Sequence, residues 1–254
     1  MNKPHENVVT GQFGPRANAY VESAVHARGE DLDALAEIVR AKAPHRALDI
    51  GTGGGHVAYV LARHAAKVTA CDLSSDMLAA VRAAATAKSL NNVETVEAPA
   101  EKLPFADAQF DFVASRYSAH HWRDFEQGLR EARRVLQKGA SAVFIDGQAP
   151  ADPLFDTHLQ SIELLRDTSH VRNRSAAEWT AALARAGFRV TALRAFRIRL
   201  DFASWIARMN TPALQAQAIR ALQAAASAEV RDYFAIEADG SFLLDVVMLE
   251  AEAA

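Results

Sequence analysis

The stretch LDIGTGGG at residues 48–55 decides the fold that we predict for this chain. The segment 46–50 is mostly apolar and predicts a short β-strand, and glycines follow it at positions 51, 53, 54 and 55. Glycine adopts positive φ angles and lets a ligand approach the backbone closely. Because 56–64 predicts a helix, the loop lies at the carboxyl edge of a strand, where open α/β sheets bind ligands.

Strands and helices alternate around this loop. Predicted strands lie at 67–71, 93–96, 110–115 and 142–145, and predicted helices lie at 31–43, 75–88 and 125–136. Such an alternation predicts an α/β fold, a doubly wound and mostly parallel sheet that is covered by helices on both faces. Before this alternation, we predict a loose arm at residues 1–15 and a helix at residues 16–27.

The pattern changes after Gly147. Residues 152–166 and 175–185 predict helices, 188–200 is extended, 201–234 is mostly helical, and 242–250 predicts a terminal strand. Two late strands therefore flank a helical insertion at about 201–240, and an insertion of this size usually forms a lid or a binding layer. We predict a single domain over 1–254, with an N-terminal arm at 1–30, a cofactor-binding core at 31–150 and a C-terminal part at 151–254.

Composition limits the classes of function. The chain has 254 residues, of which 50% are hydrophobic and 23% are charged, and this mix indicates a globular protein. Its formal net charge of −3 gives no electrostatic reason to expect binding to nucleic acid or to a membrane surface. The amino terminus lacks a signal-peptide core, and no apolar run reaches the roughly 18 residues of a membrane span. We therefore expect a cytoplasmic protein, monomeric or homodimeric.

Two classes of cofactor fit a glycine loop at this position. A dinucleotide requires G-x-G-x-x-G, and His56 stands where the third glycine of that fingerprint belongs. Asp49 is expected to point its carboxylate into the pocket, where it would repel a pyrophosphate. A carboxylate there suits a nucleoside with an ammonium, a sulfonium and no phosphate, which describes S-adenosylmethionine. The alternative is a tight turn in which the glycines serve packing alone.

Asp72 ends the second predicted strand, 21 residues after Gly51. An acidic side chain at this place accepts hydrogen bonds from ribose hydroxyls, in nicotinamide cofactors and in adenosylmethionine alike. It therefore supports an adenosine ligand without choosing between the two. The alternative is an acid placed favourably near a helix amino terminus. Leu73 and Met77 are candidates for the wall of an adenine pocket, and a core position is the alternative for both.

Four motifs together resemble the class I S-adenosylmethionine-dependent methyltransferases, in particular the type-11 group that includes the ubiquinone/menaquinone C-methyltransferases. These motifs are LDIGTGGG at 48–55, VTACDLSSDML at 68–78, AEKLPFADAQFDFV at 100–113 and REARRVLQKGA at 130–140. They cover about 100 residues in the order that the family shows. The tail, with LRDTSHVR at 165–172, resembles uncharacterised bacterial members of the same group.

The resemblance implies a seven-stranded sheet with an antiparallel last strand, and a set of residues around the cofactor. The methionine end is expected at the first loop and the end of the fourth strand, the ribose at Asp72 and the adenine beyond it; besides Asp72, the expected residues are Asp49, Gly51, Thr52, Gly53, Gly55, Leu73, Met77, Pro99, Ala100, Glu101, Ser115 and Arg116. Pro99 stands where the family often has an aspartate, so adenine recognition falls to the backbone of Ala100 and to Glu101. A solvated loop acid is the alternative for Glu101.

The transferred methyl group needs a protein base only if the accepting atom must lose a proton. Tyr117, His120 and His121 follow the fourth strand and are the candidates. The two histidines are adjacent, so they cannot share one face of a helix or strand. The alternative is that His121 is a packing residue and His120 is exposed. No Cys or carboxylate cluster completes a metal site with them. Tyr20 and His26 are candidates to close over the cofactor from the arm.

Three functions remain open at this point: a methyltransferase for a small-molecule acceptor, a nicotinamide-dependent oxidoreductase, and a non-catalytic regulatory module that binds S-adenosylmethionine. The stretch 166–199 carries eight arginines against two acids, a net charge of +6. A solvated face is the favoured interpretation, and no aromatic interleaving supports nucleic acid as a partner. Trp205 and Met209 in the insertion are candidates to line an acceptor pocket or to pack in the core.

Overall fold

A computed structural model of the chain describes residues 4–21 and 28–254. Its centre is a seven-stranded sheet with the order β3-β2-β1-β4-β5-β7-β6. The first five strands are parallel, and β7 pairs antiparallel with both β5 and β6, so the predicted sheet is confirmed. The strands are β1 Arg46–Ile50, β2 Lys67–Asp72, β3 Val93–Glu97, β4 Phe110–Arg116, β5 Leu136–Gly147, β6 Phe188–Leu200 and β7 Phe242–Ala253.

Helices lie before the sheet, between its strands and in the insertion. In the described ranges they are α1 His5–Phe13, α2 Ala17–Val21, α3 Glu30–Lys42, α4 His56–Ala62, α5 Ser75–Ala87, α6 Phe125–Val135, α7 Pro153–Arg166, α8 Ala176–Ala186, α9 Phe202–Met209, α10 Ala213–Ala225 and α11 Ala228–Tyr233. The predicted helical insertion is confirmed, because α9 to α11 lie between β6 and β7. No helix in residues 4–21 or 28–254 has the length and apolar character of a membrane span.

The prediction of a loose arm over residues 1–15 is wrong, because α1 occupies most of it. The helix has no buried residue of its own, and Gly11 lies within it. Neither an apolar pattern nor helix propensity therefore predicts this helix from the sequence. Contacts with distant parts of the chain hold it: the Gln12 side chain donates a hydrogen bond to the Met209 carbonyl at 3.4 Å, and His5 reaches the His121 carbonyl at 3.1 Å. The predicted helix 16–27 is observed over Ala17–Val21, and 22–27 lie outside the described residues.

The sheet has an apolar layer on each face, as the strand pattern requires. In β1, Leu48 and Ile50 belong to one buried cluster and Ala47 to the other, because successive side chains point to opposite faces. On the first face, Trp179 of α8 lies edge-on to Phe125 of α6, with ring centroids 4.6 Å apart. These two layers fix the carboxyl ends of β1, β2 and β4 side by side.

A third apolar cluster joins the insertion to α7. Trp205 of α9, Phe234 and Phe242 are buried there against Leu159 and Ile162 of α7. Phe242 begins β7, so this cluster also ties the insertion to the sheet. Trp205 is 2% exposed, which places most of its side chain in this packing. The insertion is therefore held near the carboxyl ends of β4 and β5.

Candidate active site

A cleft of about 1040 Å³ opens at the carboxyl ends of β1, β2 and β4. Most residues predicted for the site line it: Gly51, Thr52, Gly53, Asp72, Leu73, Met77, Ala100, Glu101, Arg116, Tyr117 and His121. Five do not: Asp49, Gly55, Pro99, Ser115 and His120. Phe13 and Tyr20 of the N-terminal segment and Ser118 and Trp122 after β4 also line the cleft, and the sequence did not single out Phe13, Ser118 or Trp122.

The glycine loop follows β1 tightly and bends around the end of β2. The backbone N–H of Gly51 donates to the Cys71 carbonyl at 2.8 Å. Gly51 and Gly53 have φ angles of +69° and +49°, which side-chain-bearing residues rarely adopt. A Cβ atom on Gly51 would overlap the Ser118 side chain, whereas one on Gly53 would meet open space. The loop thus exposes its backbone to the cleft at Gly53.

The Asp72 carboxylate lies beside this loop and lines the cleft. Its Oδ2 accepts a hydrogen bond from the Gly53 N–H at 2.8 Å, and its Oδ1 accepts one from the Ser74 N–H at 3.0 Å. Burial raises the pKa of Asp72, although these backbone N–H groups act in the opposite direction. Each carboxylate oxygen has a further lone pair, so Asp72 has a fixed orientation and can accept hydrogen bonds from a ligand.

Asp49 lies beneath the loop, and the expectation that its carboxylate points into the cleft is wrong. It is 1% exposed, and its Oδ2 accepts hydrogen bonds from Thr52 Oγ1 at 2.6 Å and from the Ala58 N–H at 3.1 Å. The first turn of α4 and the loop hydroxyl therefore turn it away from the cleft. Oδ1 is buried without a hydrogen-bond partner in the described chain, and burial raises the pKa of Asp49 to about 7.

The far wall of the cleft is formed by the segment after β3 and by the start of α5. Ala98, Ala100 and Glu101 line it, together with Leu73 and Met77. Met77 is 1% exposed and belongs to a small apolar cluster that includes Tyr20 and Met209. Glu101 accepts a hydrogen bond from the Asp124 N–H at 3.2 Å, which fixes the position of its side chain.

Ser115 and Arg116, at the end of β4, connect this strand to the glycine loop and to α3. Ser115 Oγ donates to the Ile50 carbonyl at 2.8 Å and so ties β4 to the base of the loop. Arg116 forms a two-point ion pair with Asp31 of α3, with Nε–Oδ2 at 2.6 Å and Nη2–Oδ1 at 3.1 Å. Both side chains are almost fully buried, so the pair anchors α3 to β4. The sequence did not indicate this partner for Arg116.

The two histidines point to different partners from the short 3₁₀ turn Ala119–His121. His120 Nδ1 lies 2.5 Å from Asp146 Oδ1, and its backbone N–H donates to Asp146 Oδ2 at 3.0 Å. Burial opposes the charged form of His120, but Asp146 outweighs burial and raises the pKa. His121 Nδ1 lies 3.1 Å from the Ser169 carbonyl, and burial together with the charge of His120 lowers the pKa of His121 to about 4.

A second, smaller cavity of about 90 Å³ adjoins the cleft, and we call it the inner chamber. Phe13, Tyr20, Tyr117 and His121 line both spaces. The chamber is lined in addition by His120, Gly147, Glu163, Arg166, Asp167, Asn173, Ile198, Leu200, Trp205, Arg208 and Leu244. Its charged residues come from α7, from the residue after it and from α9. Arg166 and Asp167 belong to the LRDTSHVR segment, but the sequence did not indicate that these charged residues meet, because only the tertiary fold brings them together.

The N-terminal segment spans from the glycine loop to the insertion. His56 Nε2 lies 2.8 Å from the Tyr20 carbonyl, and this carbonyl also packs directly against Gly54. The Tyr20 hydroxyl donates to Met209 Sδ at 2.8 Å. Tyr20 thus lies over one side of the cleft, and Met209 is buried against it, while the other candidate, His26, lies outside the described residues.

The arginine-rich stretch lies largely on a charged outer face. Its β6 arginines form ion pairs with acids of β7 and of the turn before it: Arg189 with Glu252, Arg194 with Glu250, Arg197 with Asp245, and Arg199 with Glu237. The solvated-face interpretation fits these exposed pairs better than an anion-binding surface, because each positive charge already has a carboxylate beside it.

Several known proteins similar to this chain are named methyltransferases. The sequence profile described as "Methyltransferase domain" matches residues 48–144. The uncharacterised protein YafE of Escherichia coli is 45% identical over 204 residues, which are 80% of this chain and 99% of that protein. The uncharacterised methyltransferase YcgJ of Bacillus subtilis is 33% identical over 243 residues, which are 94% of this chain and 96% of that protein.

A solved structure and an enzyme of named activity also resemble this chain. The crystal structure of YcgJ superposes with a TM-score of 0.83 and 32% identity, over 87% of this chain and 97% of that chain. A demethylmenaquinone methyltransferase of Chlorobaculum parvum is 40% identical over 108 residues, which are 42% of this chain and 43% of that enzyme. The resemblance expected from the four motifs is confirmed.

Proposed function

Because the chain belongs to the methyltransferase domain family, we propose that it binds S-adenosyl-L-methionine and methylates a small-molecule acceptor. The observation that carries the proposal is the position of the Asp72 carboxylate. It lines the cleft next to a loop whose backbone is open at Gly53, and its orientation is fixed by hydrogen bonds from Gly53 and Ser74. A ribose needs such an acceptor, and a glycine loop lets the rest of the cofactor lie close to the backbone.

The residues present fit this cofactor. The cleft of about 1040 Å³ is large enough for an adenosine with an amino acid tail and leaves room for an acceptor. A cation bound above the loop would favour the ionised form of Asp49, whose buried Oδ1 has no hydrogen-bond partner in the described chain. The methionine end is proposed at Gly51, Thr52 and Gly53, and the adenine beside Leu73 and Ala100.

The bound cofactor supplies a methyl group that its sulfonium already activates. The chain then has to align the acceptor with that group and exclude water. Tyr20 contributes to exclusion, because it lies over the cleft and is fixed by contacts to His56 and to Met209. The end of β4 contributes to alignment, because the Arg116–Asp31 pair holds it rigidly.

Ligand-induced stabilisation tests the proposal. At a free ligand concentration a hundredfold above Kd, S-adenosylmethionine or S-adenosylhomocysteine is expected to stabilise the folded chain by about 2.7 kcal/mol. NADH under the same conditions is the comparison for the nicotinamide alternative, and we expect no stabilisation by it. Stabilisation by NADH alone, or no shift with millimolar S-adenosylmethionine, would contradict the proposal. A cytoplasmic location and a monomeric or homodimeric state stay predictions.

A further inference from the structure

We propose that the inner chamber receives the hydroxyl of a phenol- or enol-type acceptor, and that His120, oriented by Asp146, removes the proton of that hydroxyl. This inference rests on the proposed function, since it assigns the acceptor side of the same site. It is carried by the geometry of a His–Asp pair at the boundary between the sheet and the chamber.

Asp146 holds His120 in one orientation. The carboxylate is 2% exposed on β5, and it accepts hydrogen bonds from the Gly147 N–H at 2.8 Å and from the His120 N–H at 3.0 Å. Its Oδ1 also binds His120 Nδ1 at 2.5 Å. A carboxylate on one ring nitrogen fixes the tautomer, so the proton resides on Nδ1 and Nε2 becomes the accepting atom.

Nε2 of His120 is available to a ligand. The ring lines the inner chamber, its side chain is 18% exposed, and no hydrogen bond to Nε2 is formed within residues 4–21 and 28–254. The other two candidates are poorer bases. His121 directs Nδ1 to the Ser169 carbonyl and has its pKa lowered, and burial raises the pKa of Tyr117, which keeps its hydroxyl protonated.

The chamber selects the kind of acceptor. At about 90 Å³ it admits the reacting end of a molecule, while the remainder lies in the adjoining cleft. Two guanidinium groups line it: Arg166 pairs with Glu163 at 3.6 Å, and Arg208 forms no ion pair within the described residues. Positive charge at this place stabilises an oxyanion as it forms. Both acids of the chamber have partners: Asp167 Oδ1 accepts hydrogen bonds from the N–H and the hydroxyl of Ser169, and Glu163 lies 3.6 Å from Arg166.

The proposed step moves one proton and one methyl group. His120 Nε2 takes the hydroxyl proton, and the acceptor oxygen keeps the electron pair of the broken O–H bond. A lone pair of that oxygen forms the new O–C bond, and the electrons of the broken S–C bond remain on the departing thioether. His120 then returns its proton to solvent. Asp146, Glu163 and Asp167 raise the pKa of His120 against the effect of burial, and the rings of His121 and His170 pack beside it.

A coloured phenol tests the inference without a known acceptor. The protein is saturated with S-adenosylhomocysteine and titrated with para-nitrophenol, whose ionised form absorbs in the visible, at a pH where the free phenol is mostly neutral. We expect the bound phenol to be ionised. In His120→Gln the ratio of bound phenolate to bound phenol should fall at least about tenfold. In Asp146→Asn the bound para-nitrophenol should still ionise, but the pH midpoint of its ionisation should be displaced. A loss of packing alone would not displace that midpoint.

His45→Gln is the matched control, because His45 is exposed at the amino end of β1, away from the cleft. Equal ionisation in His120→Gln and in the unaltered chain would overturn the inference. So would binding of S-adenosylhomocysteine without any bound phenolate. If S-adenosylhomocysteine itself does not bind, the result contradicts the proposed function, and with it the inference that rests on that function. Calorimetric binding of S-adenosylhomocysteine to each variant separates these outcomes and verifies that each variant is folded.

Discussion

The carboxylate of Asp72 accepts a hydrogen bond from the Gly53 N–H at 2.8 Å, so the end of β2 and the glycine loop form one unit. We expect Asp72→Asn to weaken S-adenosylmethionine binding by about tenfold or more, because an amide offers fewer acceptor sites than a carboxylate and carries no charge. Isothermal titration calorimetry measures the change. Glu97→Gln is the matched control, since Glu97 is exposed at the end of the neighbouring β3 and does not line the cleft. Equal affinities for Asp72→Asn and the unaltered chain would remove Asp72 from the site.

Gly51 and Gly53, two of the positive-φ glycines of the loop, predict different effects of alanine. Gly51→Ala adds a Cβ that overlaps Ser118, so it should lower the free energy of unfolding by roughly 2 kcal/mol more than Gly53→Ala does. Gly53→Ala carries the same kind of backbone strain without the overlap, and its Cβ should reduce cofactor affinity instead. Urea denaturation measures the first effect, and calorimetry measures the second. Equal stability of the two variants would show that the close approach to Ser118 has no energetic consequence.

The buried Arg116–Asp31 pair predicts a strong dependence of stability on either partner. Removing one charge leaves the other buried without compensation, and Asp31→Ala should therefore lower the free energy of unfolding by about 3 kcal/mol or more. Asp33→Ala is the control, because Asp33 is an exposed acid of the same first turn of α3 and should change stability by less than about 1 kcal/mol. The double variant with Asp31→Leu and Arg116→Met should regain most of the loss in chemical denaturation. No difference between the Asp31 and Asp33 variants would contradict this role.

The raised pKa of Asp49 predicts how stability changes with pH. The pKa is about 7 in the folded chain and 3.8 for an ordinary aspartate, so between these values the folded state holds a proton that the unfolded state has lost. The contribution of Asp49 to stability is thus fully present below the lower value, falls as pH rises, and is gone above the higher value. Asp49→Asn removes this dependence. Relative to the unaltered chain it should gain roughly 2–4 kcal/mol between about pH 4 and about pH 8, measured by urea denaturation. Parallel pH profiles for the two proteins would show that Asp49 is not protonated in the fold.

Local chemistry explains which features the sequence predicted well. The glycines after β1 and Asp72 at the end of β2 depend on neighbours within a few residues, and so does the amino end of α5, where Ser74 accepts a hydrogen bond from the Met77 N–H. The alternation of strands and helices is likewise a local pattern. Its outcome, a parallel sheet with ligand-binding carboxyl ends, follows from general rules of chain topology.

Features that depend on distant contacts were missed or misjudged. Arg116 meets Asp31 across 85 positions, and His120 meets Asp146 across 26, so no spacing rule connects them. The direction of Asp49 was wrong because the N–H of Ala58, on the next helix, captures its carboxylate. Helix α1 was missed because its contacts with His121 and Met209 come from residues more than a hundred positions away.

A crystal structure with S-adenosylhomocysteine tests the central claim most directly. We expect the ribose hydroxyls within hydrogen-bond distance of Asp72, the amino acid end over Gly53, and the sulfur facing the opening between the cleft and the inner chamber. Adenosine bound away from Asp72, or a cleft that stays empty at saturating ligand, would contradict the account.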